Sequence, residues 1–179
     1  MIRALPYRRK FGLKLAGPSL ATLALTGLVG CALDREAQVR ALLDSWVVLG
    51  RTTYFKSTME CTAGLFDTHS DQLSIMLQRV PTVRQGLLLM GHDLAVAFDV
   101  AGRTPTEVSE DVMEADLPKG LGVLTSGVAA KNCMDEALTV NYLEALHSER
   151  AMLIFDPTSN GLAILDRDRQ RIFFARGPV

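Results

Sequence analysis

Several things are missing from this sequence, and each absence narrows its reading. The first 30 positions hold no acidic residue, although they carry Arg3, Arg8, Arg9, Lys10 and Lys14. There is no CxxC pair, and His69, His92 and His147 stand apart with no pair at i, i+4 spacing, so no metal motif and no cofactor is expected. The glycine-rich stretch "LPKGLGVLTSG" (117–127) has the wrong residues for a P-loop or a dinucleotide fingerprint, which argues against nucleotide binding. The uncharged run from Leu15 to Cys31 has 17 residues, interrupted by Pro18, Gly17, Gly27 and Gly30. A spanning helix wants about 20 apolar residues, so a cleaved export signal is expected over a permanent transmembrane anchor. Internal repeats, low-complexity tracts and interdomain linkers are also missing, which leaves residues 1–30 as a signal and 31–179 as one mature domain.

What is present fits a globular protein. The chain has 179 residues, of which 48% are hydrophobic and 22% charged, enough to bury a real core. Beyond residue 30 there remain 14 basic against 20 acidic residues, a net charge of −6. That balance excludes general nucleic-acid binding, which depends on clustered Lys and Arg neutralising phosphates.

The basic region through Lys14 and the apolar run after it have the order of an export signal, and Leu28, Val29, Gly30 and Cys31 close it. These four residues resemble the lipobox of bacterial lipoproteins. The resemblance covers only the first 31 residues and implies that signal peptidase II cleaves before Cys31, that its sulfur carries a diacylglyceryl group and that its new amine is acylated. Several buried acyl chains hold a protein firmly, at about 0.8 kcal/mol per buried methylene. Ala32, where an inner-membrane protein of this type would carry Asp, implies an outer-membrane location facing the periplasm. "RRKFGLK" (8–14) is also similar to the twin-arginine export motif, with Tyr7 and Gly12 departing from it. General secretion and twin-arginine export both remain open.

Lipidation of Cys31 leaves Cys61 and Cys133, an even pair 72 residues apart, which reads as a disulfide in an oxidising compartment. The rival is a reactive thiol at Cys61 activated by one of the histidines.

From Asp34, the expected N-cap, the residues Val39, Leu42, Leu43, Trp46, Val47, Gly50, Tyr54 and Ser57 follow spacings of three and four. This pattern predicts one amphipathic helix over about 34–57, with a break at Gly50 as the alternative. Only two residues would separate it from the lipid-bearing cysteine, a reach of about 7 Å, so the domain is expected to lie against the bilayer. "CTAGLFD" (61–67) suits a strand with Cys61, Ala63 and Leu65 on one face and Thr62, Gly64 and Phe66 on the other. Residues 70–80 are ambiguous. A helix to about 92, a short strand in "AVAFDV" and a helix over about 105–115 follow, the last signalled by Thr104, Pro105 and Glu107 and closed by Pro118. A tightly packed helix within 119–131 and a clear one in "MDEALTVNYLEALHSE" precede three apolar runs, "AMLIFD", "GLAILD" and "RIFFAR", joined by turns. The expected fold is therefore α+β: several helices on a small, mainly antiparallel sheet with a C-terminal three-stranded meander.

Two charged groups remain. Glu107, Glu110, Asp111, Glu114 and Asp116 fit a solvated helix face or a site for calcium or a basic partner, but lack EF-hand spacing. Arg167, Arg169, Arg171 and Arg176 fit either protection of an exposed strand edge or contact with an anionic surface, a headgroup layer or an envelope polymer. No set of residues reads as catalytic. The expected function is that of a membrane-anchored envelope lipoprotein acting as a non-enzymatic binding or assembly module, with the bilayer and an envelope protein or polymer as the expected partners. A periplasmic enzyme, thiol-based through Cys61 or a hydrolase, is the alternative.

Overall fold

The structure is a computed structural model that describes residues 33–178. The export segment, the lipidation expected at Cys31 and the sorting residue Ala32 lie outside the described residues.

Helix α1 (Glu36–Asp44) buries Val39 and Leu43 and then stops. The chain turns at Ser45 and Trp46 and enters strand β1 (Val47–Ser57), so the single helix expected over 34–57 is corrected to a helix and a strand. The local reason is composition: Val47, Val48, Thr52, Thr53, Tyr54 and Phe55 are β-branched or aromatic and suit a pleated, half-buried surface. Spacings of three and four persisted by coincidence. Gly50 is not a break but an inner position of β1, where an added Cβ would stand 3.1 Å from that of Asp67 on the neighbouring strand. Asp34 is not the cap either; Arg35 takes that place, its N–H bonded to Gln38 Oε1 at 3.1 Å.

Strand β2 (Thr62–Leu73) returns antiparallel to β1, with Ser57 opposite Thr62 and Val47 opposite Leu73. The register between them shifts at three places, the mark of β-bulges or similar irregularities. Strand β3 (Gln78–Val80), helix α2 (Val83–Met90) and strand β4 (Val96–Phe98) form a parallel crossover. Helix α3 (Pro105–Ala115) has the expected limits, because Thr104 and Glu107 cap each other's backbone N–H groups. Pro118 does not simply end it. Asp116 accepts from the Lys119 N–H, and Pro118 sits in the first turn of a new helix, α4 (Leu117–Ala130). After a 3-10 turn (Lys131–Cys133), Asp135 caps helix α5 (Glu136–Leu146), and strands β5 (Ala151–Asp156), β6 (Gly161–Asp166) and β7 (Arg171–Arg176) form the meander.

The protein is α+β, and the seven strands make one sheet in the order β1-β2-β7-β6-β5-β4-β3, antiparallel except for β3 with β4. The meander is therefore the middle of the sheet rather than its margin, and every residue of β5 and β6 is buried. Alternate residues feed two cores, as period two requires. Cys61, Ala63, Leu65, Leu153, Ile164 and Phe173 face the layer of α2 to α5, whereas Phe66, Ile154, Leu165, Ile172 and Phe174 face α1 and Trp46. The faces expected for 61–66 are thus observed for Cys61, Ala63, Leu65 and Phe66.

Candidate functional site

Cys61 precedes β2 and Cys133 ends the turn after α4, and the two are joined by a disulfide with a Cα separation of 5.9 Å. Closing a loop of this length contributes on the order of 4 kcal/mol in the chain-entropy account. The bridge ties the β1–β2 hairpin to the helical layer, and the Tyr54 hydroxyl reinforces it by donating to the Cys133 carbonyl at 2.7 Å. Burial, with the nearby Asp135 charge, pushes the Tyr54 phenol above its ordinary value. The sulfur that a thiol mechanism at Cys61 would use is bonded to Cys133. His69, His92 and His147 are all exposed, on β2, after α2 and at the end of α5.

The four C-terminal arginines do not form one cationic patch. Arg167 donates to Asp99 at 2.9 Å. Arg169 reaches Glu144 at 2.8 Å and Asp166 at 3.3 Å, and Arg171 approaches the same Asp166 oxygen at 3.2 Å. Arg176, at the far end of β7, pairs with Asp34. Edge protection is excluded as their role because β7 lies between β2 and β6. Asp166, with only 2% of its side chain exposed, is held between both cationic neighbours inside the fold.

Glu107, Asp111 and Asp116 of the acidic group are paired locally. Arg103 donates to Asp111 at 2.6 Å and lies near Glu107, whose pKa is itself held below its usual value by accepting from the Thr104 backbone and hydroxyl. Asp116 pairs with Lys119, whose side chain and backbone hydrogen bonds lower its pKa. Asp111, Asp116 and Lys119 border an open cleft of about 890 Å³ between α2 and the α3–α4 corner, together with Arg84, Leu87, Leu88 and His92. The cleft offers shape and mixed polarity, but its acids already hold cations.

A second cavity, of about 180 Å³, lies beneath α3, α4 and α5 against β5 and β6. Its wall is almost wholly apolar, formed by residues such as Val123, Leu124, Leu146, Leu153 and Leu162, with Thr106, Ser109 and Lys131 as its polar members. Tyr142 from α5 belongs to this wall. It is 1% exposed, packs edge-on to Phe173 and has a hydroxyl with no hydrogen-bond partner among the described residues. Burial drives its phenol well above the ordinary value, so it remains a neutral donor. Gly127 makes the space for it: a Cβ there would stand 3.0 Å from that hydroxyl and 2.9 Å from Leu162 Cδ2.

Sequence reasoning did not find this cavity. Its signal was a tyrosine at an inward position of α5 facing a glycine of α4, a combination that carries meaning only once the helices are packed. On α4, Leu117, Leu121, Leu124 and Val128 form an exposed apolar row at i, i+4, i+7 and i+11, and Leu124 and Val128 line the cavity with Leu143 of α5. Comparison with family models, curated proteins and solved structures finds no match to this chain.

Proposed function

We propose that the chain is a lipid-anchored envelope lipoprotein, acylated at Cys31, whose folded domain is a binding or assembly module held against the periplasmic side of the outer membrane. The observation that carries the reading is the sequence Leu28-Val29-Gly30-Cys31 at the end of a basic and then apolar segment, followed within three residues by Asp34, which is already fixed in the fold. Three residues span at most about 11 Å, so an acylated Cys31 would hold the domain at the bilayer rather than on a flexible tether. The Cys61–Cys133 bridge supports an oxidising compartment. The exposed apolar side chains of α4, and Ile75 and Met76 in the turn between β2 and β3, supply surface suited to binding rather than to chemistry.

Intact mass of the membrane-extracted protein tests the anchor. The expected result is a chain beginning at Cys31 and carrying acyl mass; a free thiol at Cys31, or cleavage elsewhere, defeats the reading. Cys31→Ser should release the protein from the membrane fraction while leaving its circular dichroism and its disulfide intact.

A further inference from the structure

We infer that the cavity beneath α3, α4 and α5 is a binding site for a small, uncharged, apolar group that carries one hydrogen-bond acceptor and takes it to the Tyr142 hydroxyl. The inference does not depend on the lipid anchor.

Size sets the first limit. A cavity of about 180 Å³ is close to the apolar cavities of about 150 Å³ that stay dry and accept a benzene ring, so it suits an aromatic ring or a short alkyl end rather than a whole lipid or a sugar. Composition sets the second. Val123, Leu124, Leu153 and Leu162 give no counter-charge, and the one cation in the wall, Lys131, is exposed at the end of α4, so an ionised group would be stranded inside.

Tyr142 sets the third limit. Buried hydroxyls are nearly always hydrogen-bonded, and a phenylalanine would fill the same volume without the penalty. Here the hydroxyl is buried, neutral and unpartnered among the described residues, and the nearby backbone of Gly127 comes without a side chain that would close the space. Thr106 and Ser109 do not relieve it: their hydroxyls, which donate to the Leu146 and Thr106 carbonyls, make no hydrogen bond with it. A carbonyl or ether oxygen on an otherwise apolar ligand satisfies all three limits. Leu124, Val128 and Leu143, each at least 36% exposed, frame the way in and would cover any apolar remainder of the ligand.

Acetophenone and ethylbenzene test this directly, because they share a shape and differ in one carbonyl. Each is titrated into the purified protein in detergent-free buffer, with binding followed by amide chemical shifts. Acetophenone should shift Gly127, Tyr142 and Leu146 and bind about threefold to tenfold more tightly than ethylbenzene, the worth of one neutral hydrogen bond. Tyr142→Phe, which keeps the ring, should bring the two affinities together. Leu124→Trp, with folding verified by circular dichroism, should weaken both by blocking the mouth. Absence of binding by either probe, equal affinity for the two in the wild type, or an acetophenone affinity unmoved by Tyr142→Phe would each overturn the inference.

Discussion

Asp34 and Arg176, separated by 142 residues, are joined at one end of the sheet, with Arg176 Nε donating to Asp34 Oδ2 at 2.8 Å. Thr62 donates to the same oxygen at 2.6 Å, Ser57 receives the Asp34 N–H at 3.1 Å, and Arg176 also reaches the Ser159 carbonyl at 3.2 Å. One carboxylate thus fastens the start of the described chain to the β1–β2 hairpin and to the last strand. Both side chains are mostly buried, at 11% and 16% exposure, so removing one leaves the other charge without compensation. Asp34→Ala should therefore cost roughly 3 kcal/mol in urea unfolding, the low end of the range for a broken buried pair. Asp34→Ala with Arg176→Met should cost less than Asp34→Ala alone. If the double variant is the weaker of the two, Arg176 is not stranded by the loss of Asp34 and the account fails.

Two tyrosines of this fold should respond oppositely to losing their hydroxyls. Tyr54 donates at 2.7 Å to the Cys133 carbonyl, so Tyr54→Phe removes a made bond and should lower stability by about 1 kcal/mol. Tyr142 has no partner among the described residues, so Tyr142→Phe should leave stability unchanged or raise it by about 1 kcal/mol in ligand-free protein. Thermal and urea unfolding of the two variants side by side measures the contrast. A loss at Tyr142 as large as that at Tyr54 would mean its hydroxyl has a partner after all.

Asp99 predicts the direction of the acid response. Burial raises its pKa, but hydrogen bonds from Arg79 and Arg167 outweigh it and hold the carboxyl below its ordinary value. The folded protein then binds fewer protons than the unfolded chain as pH falls past about 4, so this contribution is full above that pH and is lost through the lower, folded pKa. Glu107 and Asp116 act in the same sense. Asp99→Asn should therefore unfold at lower urea than the wild type at pH 7, and the gap should shrink at pH 3. Parallel profiles across that range would show that Arg79 and Arg167 do not hold Asp99 ionised.

The elements legible in the sequence were those written in local chemistry. Thr104, Pro105 and Glu107 specify the start of α3 because capping needs only residues within one turn. The turns around Asn160 and Gln170, both at positive φ, mark the meander in the same way. Cys61 and Cys133 were legible as a pair because few cysteines compete. Where meaning depended on distant partners, the sequence was silent or misleading. Trp46 and Val47 fit a helical stripe as well as a strand until β2 supplied the neighbour that decided it. The arginines resembled an exposed cluster because Asp34 and Asp99, which neutralise two of them, lie 142 and 68 residues away. The isolation of the Tyr142 hydroxyl is a property of three packed helices and has no local mark.

Packing of α4 on α3 gives the sharpest contrast between local preference and tertiary demand. Gly120 and Gly122 both lie inside α4, where Ala is preferred over Gly by about 1 kcal/mol. At Gly120 an added Cβ would stand 2.2 Å from the Cα of Met113, a backbone atom that cannot move without shifting α3. At Gly122 the nearest atoms are Asn160 Oδ1 at 3.5 Å and Phe155 Cζ at 3.7 Å, ordinary contact distances. Gly122→Ala should therefore raise stability by a few tenths of a kcal/mol up to about 1, through helix propensity and a less free unfolded chain. Gly120→Ala should lower it by about 1–3 kcal/mol despite the same propensity gain, because the overpacked helix pair must separate. Urea unfolding of both variants measures the difference, and a Gly120→Ala protein as stable as Gly122→Ala would show that α3 and α4 do not approach as closely as their glycine contact requires.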